Sequence, residues 1–169
     1  MAIAEQEQSL SLWHIQFPEL YERHLCRHSQ FGLNVNHLVS VAGTYLALMG
    51  IVFWLSGSWW VLAGIAVPYL ALLVVNVPFR VWLATVAFLG LLFGLFSLLP
   101  QLPIWVYPIA IVVFHRIQIW GHKVYTAERD MTEFHKKYKK GPFLFVLLAL
   151  YELPILLNYL LFGRKDWAR

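Results

Sequence analysis

His37-Leu-Val-Ser-Val-Ala-Gly-Thr-Tyr-Leu-Ala-Leu-Met-Gly-Ile-Val-Phe-Trp-Leu55 is the first long apolar run of the chain, and its reading decides the fold. It approaches the roughly 20 residues that a helix needs to cross about 30 Å of hydrocarbon, and Ser56-Gly57-Ser58 closes it with a turn. Similar runs follow. One spans about Trp59 to Val75, with Pro68 as an expected kink. Others cover about Val81 to Leu99, about Ile104 to Trp120, and Phe143 to Phe162, separated by Asn76-Val-Pro-Phe-Arg80, Pro100-Gln-Leu-Pro103 and a charged segment. The whole 169-residue composition agrees: 60% hydrophobic, 17% aromatic and 13% charged, against about 25% charged in soluble domains. Mean hydropathy is +0.62. The expectation is an all-α fold, a polytopic membrane helical bundle of four to five transmembrane segments plus an N-terminal interfacial helix. Within one domain, residues 1–36 form the N-terminal interfacial part, 37–120 four membrane helices, 121–141 a basic segment and 142–162 the last apolar helix.

Charge then orients the bundle. The formal charge of +4 does not point to nucleic acid, because most lysines lie beside apolar segments, where they read as topology and anionic-lipid contact. Lys136-Lys-Tyr-Lys-Lys140 favours the cytoplasmic side, and the neutral turns at 56–58 and 100–103 suit the opposite side. Arg23, Arg27 and Arg80 then fall on the cytoplasmic face. A fifth crossing would export Arg164, Lys165 and Arg169, so the last segment either tolerates that violation or enters and returns. No signal peptide is legible in the first 30 residues, since Glu5, Glu7, Glu19 and Glu22 interrupt any apolar core. The expected location is a bacterial inner membrane, or the endoplasmic reticulum of a eukaryote. Cys26 is the lone cysteine, which removes disulfides and CxxC chemistry and reads as a buried, inert thiol. Trp59, Trp60, Trp105 and Tyr107 suit interfacial belts.

Polar residues that carry chemistry collect in two places. Upstream of the first span stands His24-Leu-Cys-Arg-His28-Ser-Gln-Phe-Gly-Leu-Asn-Val-Asn-His37, in which Pro18 opens a short helix and Ser29 to Asn36 forms a turn. The second place runs from Gln118 to Glu128. Both are expected on one membrane face. Imidazole suits iron, zinc or copper, and a catalytic metal commonly takes three protein ligands with positions left open; His28, His37 and His122 form one such set if the N-terminal helix folds back under the bundle. His24 and His115 are reserve ligands, His115 lying two turns before His122. The competing reading for each is an interfacial hydrogen-bonding histidine. Glu128 and Asp130 are carboxylate candidates, Asp130 more simply a solvated charge, and His135 lies among lysines. Glu152 sits inside an apolar segment, where an ionisable group faces a partner or a cavity, either a site or an arginine such as Arg116. No G-x-S-x-G elbow, phosphate-binding glycine loop or HExxH is present, and one HxxxH is too little for a desaturase-type histidine box set.

Taken in order, Tyr21, Arg27-His28-Ser29, the nine-residue interval to His37, Gly43-Thr44, then Gln118-Ile-Trp-Gly121-His122 and the late Glu152 resemble the small membrane proteins related to the fungal 2-hydroxy-palmitate dioxygenase. Each motif is short, but together they cover nearly the whole chain. The resemblance implies an Fe(2+)-dependent enzyme of fatty-acid α-oxidation that uses O2 to shorten a 2-hydroxy fatty acid by one carbon, with His28, His37 and His122 as its histidines. The family often carries a glutamate four residues after Gly-His, where this chain has Thr126, leaving Glu128 as a substitute or the carboxylate as dispensable. Arg27, Arg116, Gln118 and Glu152 are the candidates for holding the substrate carboxylate or orienting a ligating imidazole. Membrane lipids and the 2-hydroxy acid are the expected partners, and no oligomeric state follows. Two alternatives stay open: a non-catalytic membrane protein that binds lipid or a partner through Lys136, Lys137, Lys139 and Lys140, and a zinc-dependent membrane hydrolase.

Overall fold

The computed structural model describes residues 15–125 and 142–163. Among them every regular element is helical and no strand occurs. In chain order these are α1 (Phe17–Arg27), α2 (Phe31–Ser56), α3 (Trp59–Asn76), α4 (Phe79–Leu98), α5 (Val106–Tyr125) and α6 (Pro142–Leu157), which runs on into a π-helical turn, Asn158–Phe162. Three of them, α2, α3 and α4, are long and apolar enough to cross a membrane. Their outward faces are greasy: Trp60 is 87% and Leu98 82% exposed. Apolar surface on that scale belongs in lipid rather than water. The chain is built as a membrane protein.

One boundary differs from expectation. The turn before the first span is short, His28 to Gln30, and α2 already begins at Phe31, so His37 stands in its second turn. The reason is Asn34. From inside α2 its amide Nδ2 donates to the carbonyls of His28 (2.6 Å) and Gln30 (2.9 Å), satisfying the backbone of the turn that the asparagine was expected to form. At the far end of α2, Gly57 takes a left-handed conformation (φ 61°) and returns its N–H to Phe53 O at 2.7 Å. A glycine closes the helix there because it bears no Cβ penalty at positive φ.

α2 and α5 pack antiparallel along one seam. Gly50 faces the Tyr107 ring, Gly43 the Phe114 ring, Asn36 faces Gly121, and Gly32 the Tyr125 ring. Asn36, Gly43 and Gly50 recur every seven residues, and their partners Gly121, Phe114 and Tyr107 step back by seven. This is the spacing of a two-helix seam, with a glycine at each level admitting the bulk opposite, as close packing between membrane helices requires. Tyr107 is therefore a seam residue, its hydroxyl accepting from Leu102 N–H, rather than part of an interfacial belt.

α6 has the opposite character to α3. Leu147, Tyr151 and Ile155 pack with Phe17 and Leu20 of α1, Leu73 of α3, Val77 of the α3–α4 link and Val81 of α4, while Leu153, Leu156 and Leu157 pack with Val41 of α2 and Leu89 and Leu92 of α4. From Tyr151 to Leu157 this apolar helix is covered on nearly all sides and forms the core of its bundle, while Val146 and Leu148 are exposed. Its C-terminal end lies at the end of the bundle that carries α1: the Tyr159 hydroxyl donates to Ser29 O at 2.8 Å, the Arg80 guanidinium sits 5.0 Å over the Phe162 ring, and Gly163 lies against Tyr21. α1 is held at that same end by Ile15 N–H, which donates to Asn76 Oδ1 at 3.0 Å. On α1 the buried positions are Phe17, Leu20, Arg23 and His24. Cys26 falls on the other face and is exposed, correcting the expectation of a buried thiol.

Candidate metal centre

Four separate pieces of chain meet at the end of the bundle where α1 lies. His28 follows α1, His37 comes from α2, Gln118 and His122 from the last two turns of α5, and Glu152 from the middle of α6. The seam places His122, because Gly121 lets α5 approach Asn36 closely. The fold-back of α1 places His28. Each of His28, His37 and His122 offers a ligand nitrogen within 4.8 Å of the other two, a set able to hold a metal ion. The rings stand nearly perpendicular to one another, with centroids 4.5 Å apart for His28 and His37, 4.8 Å for His28 and His122, and 4.9 Å for His37 and His122.

The hydrogen bonds decide which nitrogens are free to bind. His28 Nδ1–H donates to His24 O at 3.2 Å, leaving Nε2 with its lone pair. That Nε2 lies 3.3 Å from His122 Nε2. Two imidazole nitrogens so close need a proton or a cation between them, and two ligands about 2.0–2.1 Å from a tetrahedral ion are about 3.3–3.4 Å apart. His37 Nδ1 lies 3.1 Å from Glu152 Oε1 and 3.0 Å from Gln118 Nε2, which itself donates to Glu152 Oε1 at 2.6 Å. With both Nδ1–H and the amide donating to the carboxylate, His37 Nε2 keeps its lone pair. That atom is buried with no hydrogen-bond partner among the described residues. The opposite tautomer would bury an unpaired N–H at that position, at a cost of about 1–3 kcal/mol. A carboxylate behind an imidazole is the usual means by which proteins fix a ligating histidine.

Electrostatics keep the α1 histidines neutral. Burial pushes the His24 pKa down to about 4, against a hydrogen bond with Asn34 that raises it. His28 is pushed far below its ordinary value, first by burial and then by the neighbouring His24, His37 and His122. Neutral imidazole is the form that ligates, so metal binding at His28 does not compete with protons at neutral pH.

Other sequence candidates fall elsewhere. His24 does not join the three: its Nε2 is bonded to Asn34 Oδ1 at 2.7 Å and its ring stacks on His28 at 4.2 Å. It supports a ligand instead. His115 and Arg116 are exposed on α5, and Glu152 is bonded to Gln118 and His37 instead of Arg116. Glu128, Asp130, His135 and the lysines from 136 to 140 lie outside the described residues, as does the Arg27 side chain. Three residues had not been expected at the site. Asn34 is fully buried and clasps the α1–α2 turn, while Asn36 Oδ1 and Ser40 Oγ are buried without a hydrogen-bond partner among the described residues. Polar residues at 34, 36, 37 and 40, inside a run that otherwise turns apolar, were the legible signal. No protein-family model, curated protein or solved structure matches the chain.

Proposed function

We propose that this chain is an Fe(2+)-dependent membrane dioxygenase that shortens 2-hydroxy fatty acids by one carbon at the three-histidine cluster. The observation that carries the reading is the set His28, His37 and His122, whose ligand nitrogens gather within 4.8 Å while Nδ1 of His28 and of His37 is committed elsewhere. The order of short motifs resembling the 2-hydroxy-palmitate dioxygenase relatives supports the same reaction. Bound there, iron would supply the redox centre and the template on which O2 and the 2-hydroxy acid meet. The protein's share is positional. His28 and His122 present Nε2 to one another, Glu152 and Gln118 hold the His37 ring, and three protein ligands would leave coordination positions free for substrate. The reaction closes on O2 alone, because a 2-hydroxy acid and one O2 balance to the acid one carbon shorter, one CO2 and one water. No co-reductant is needed.

In the bilayer, α2 to α5 make four crossings, α1 lies at the interface, and the last apolar helix returns to the face it left. The packing of Tyr159 on Ser29 and of Phe162 under Arg80 supports this. The conflict over Arg164, Lys165 and Arg169 disappears, since they stay with Lys136 to Lys140 on the cytoplasmic face. The test is anaerobic purification followed by exposure to 2-hydroxyhexadecanoate and O2. Pentadecanoate and CO2 forming in step with O2 consumed is the expected result. Stoichiometric zinc with an O2-independent reaction, or no product from iron-loaded protein, overturns it.

A further inference from the structure

Buried polar groups in a membrane helix almost always find a partner, and a serine there ordinarily bonds the carbonyl four residues back. Ser40 does not. It is 1% exposed, and its hydroxyl has no hydrogen-bond partner among the described residues. Asn36, one turn earlier on the same face of α2, is in the same position: its Oδ1 is buried against Gly121 and unbonded. Between them in sequence is His37, whose Nε2 is the third orphan. Side chains three and four apart on a helix have Cβ atoms about 5–6 Å from each other, so Ser40 neighbours both Asn36 and His37 on α2. The seven-residue register of the α2–α5 seam brings Ser40 level with Ile117 and Gln118, one turn beyond the cluster.

Each buried orphan costs about 1–3 kcal/mol; with His37 Nε2 turned to the metal-binding set, Asn36 Oδ1 and Ser40 Oγ are the two groups beside it waiting for a ligand. Their chemistry is specific. An amide oxygen only accepts, a serine hydroxyl donates and accepts, and the imidazole nitrogen offers a lone pair. An unsubstituted carboxylate brings acceptors alone and leaves Asn36 Oδ1 unpaired. A 2-hydroxy acid brings acceptors and one donor, its hydroxyl.

We propose that Asn36 and Ser40 form the head-group subsite that selects a 2-hydroxy acid over the unsubstituted acid, Asn36 Oδ1 accepting from the 2-hydroxyl and Ser40 Oγ donating to that hydroxyl's oxygen. This rests on reading the cluster as a 2-hydroxy acid site. The assignment passes over Arg116, which is exposed.

The experiment compares binding of 2-hydroxyhexadecanoate and hexadecanoate to anaerobic, iron-loaded full-length protein in nanodiscs, for the wild type, Ser40→Ala, Ser40→Cys and Asn36→Ala, with bound metal and thermal midpoint measured alongside. The wild type should prefer the hydroxy acid. Each alanine variant should lose about three- to tenfold of that preference, the worth of one neutral hydrogen bond, with Ser40→Cys between; in the Ser40 variants metal content and hexadecanoate affinity should hold. Unliganded Ser40→Ala should melt at or above the wild type, because it removes an unsatisfied group. A variant that keeps the full preference, or a Ser40→Ala protein that melts lower and loses metal, overturns the subsite. Wild type indifferent to the hydroxyl overturns the subsite and the substrate reading together. A preference without turnover to pentadecanoate overturns the reaction and leaves the subsite standing.

Discussion

His37 is held to one task by its neighbours. Its Nδ1–H is committed to Glu152 Oε1, to which the Gln118 amide also donates, and its Nε2 has nothing among the described residues to bond. Glu152 was legible in sequence as an ionisable residue inside an apolar run, which had to have a partner. Which partner was not legible, because the choice between Arg116 and the histidines depends on which face α5 turns toward α6. The arginine turned outward. Partners that orient a metal-ligating imidazole typically cost 10- to 100-fold in metal affinity when removed, so Glu152→Ala should weaken metal binding by about that factor while leaving the helical content unchanged. Competition titration against a chelator of known affinity measures this, and an unchanged dissociation constant would separate Glu152 from the cluster. His24 shows the same limit from the other side. Its spacing to His28 marked it as a possible ligand, but its nitrogen is engaged by Asn34, a contact that requires the short turn no motif announced.

At the scale of elements, the α2–α5 seam sets the distance between His37 and His122. The apolar runs themselves were readable, since hydropathy and length suffice. The seam was not, because Gly43 and Gly50 acquire meaning only when the rings of Phe114 and Tyr107 stand opposite. Adding a methyl group at Gly43 drives it into the Phe114 ring. Overpacking of this kind costs about 1–3 kcal/mol, and here it also pushes α5 outward and carries His122 from the cluster. Gly43→Ala should therefore lower both the thermal midpoint and the metal content, and Phe114→Leu in the same chain should restore part of each. A double-mutant cycle reads the coupling; strictly additive effects would show that the seam does not position the site.

For the whole molecule, the question left open by the sequence was where the last apolar helix goes. Its composition alone fits a crossing. Packing argues for a return, because Tyr159, Phe162 and Gly163 meet Ser29, Arg80 and Tyr21, and those residues share the end of the bundle that holds α1. Sequence carried a trace of this in the arginines and lysine after residue 163, which a fifth crossing would have exported. A membrane-impermeant thiol reagent should reach Cys26, which is exposed, from the side on which a reporter fused after Arg169 is found. It should reach Ser58→Cys, in a Cys26→Ser background, from the opposite side. A reporter on the Ser58 side would mean that the last helix crosses. The central claim remains the cluster itself, and it is tested most directly by counting metal per chain in anaerobically purified wild type and in His28→Ala, His37→Ala and His122→Ala. The account predicts close to one iron per wild-type chain and near loss in each variant, with His115→Ala unaffected. A wild-type protein that binds no metal, or variants that keep it, would contradict the account.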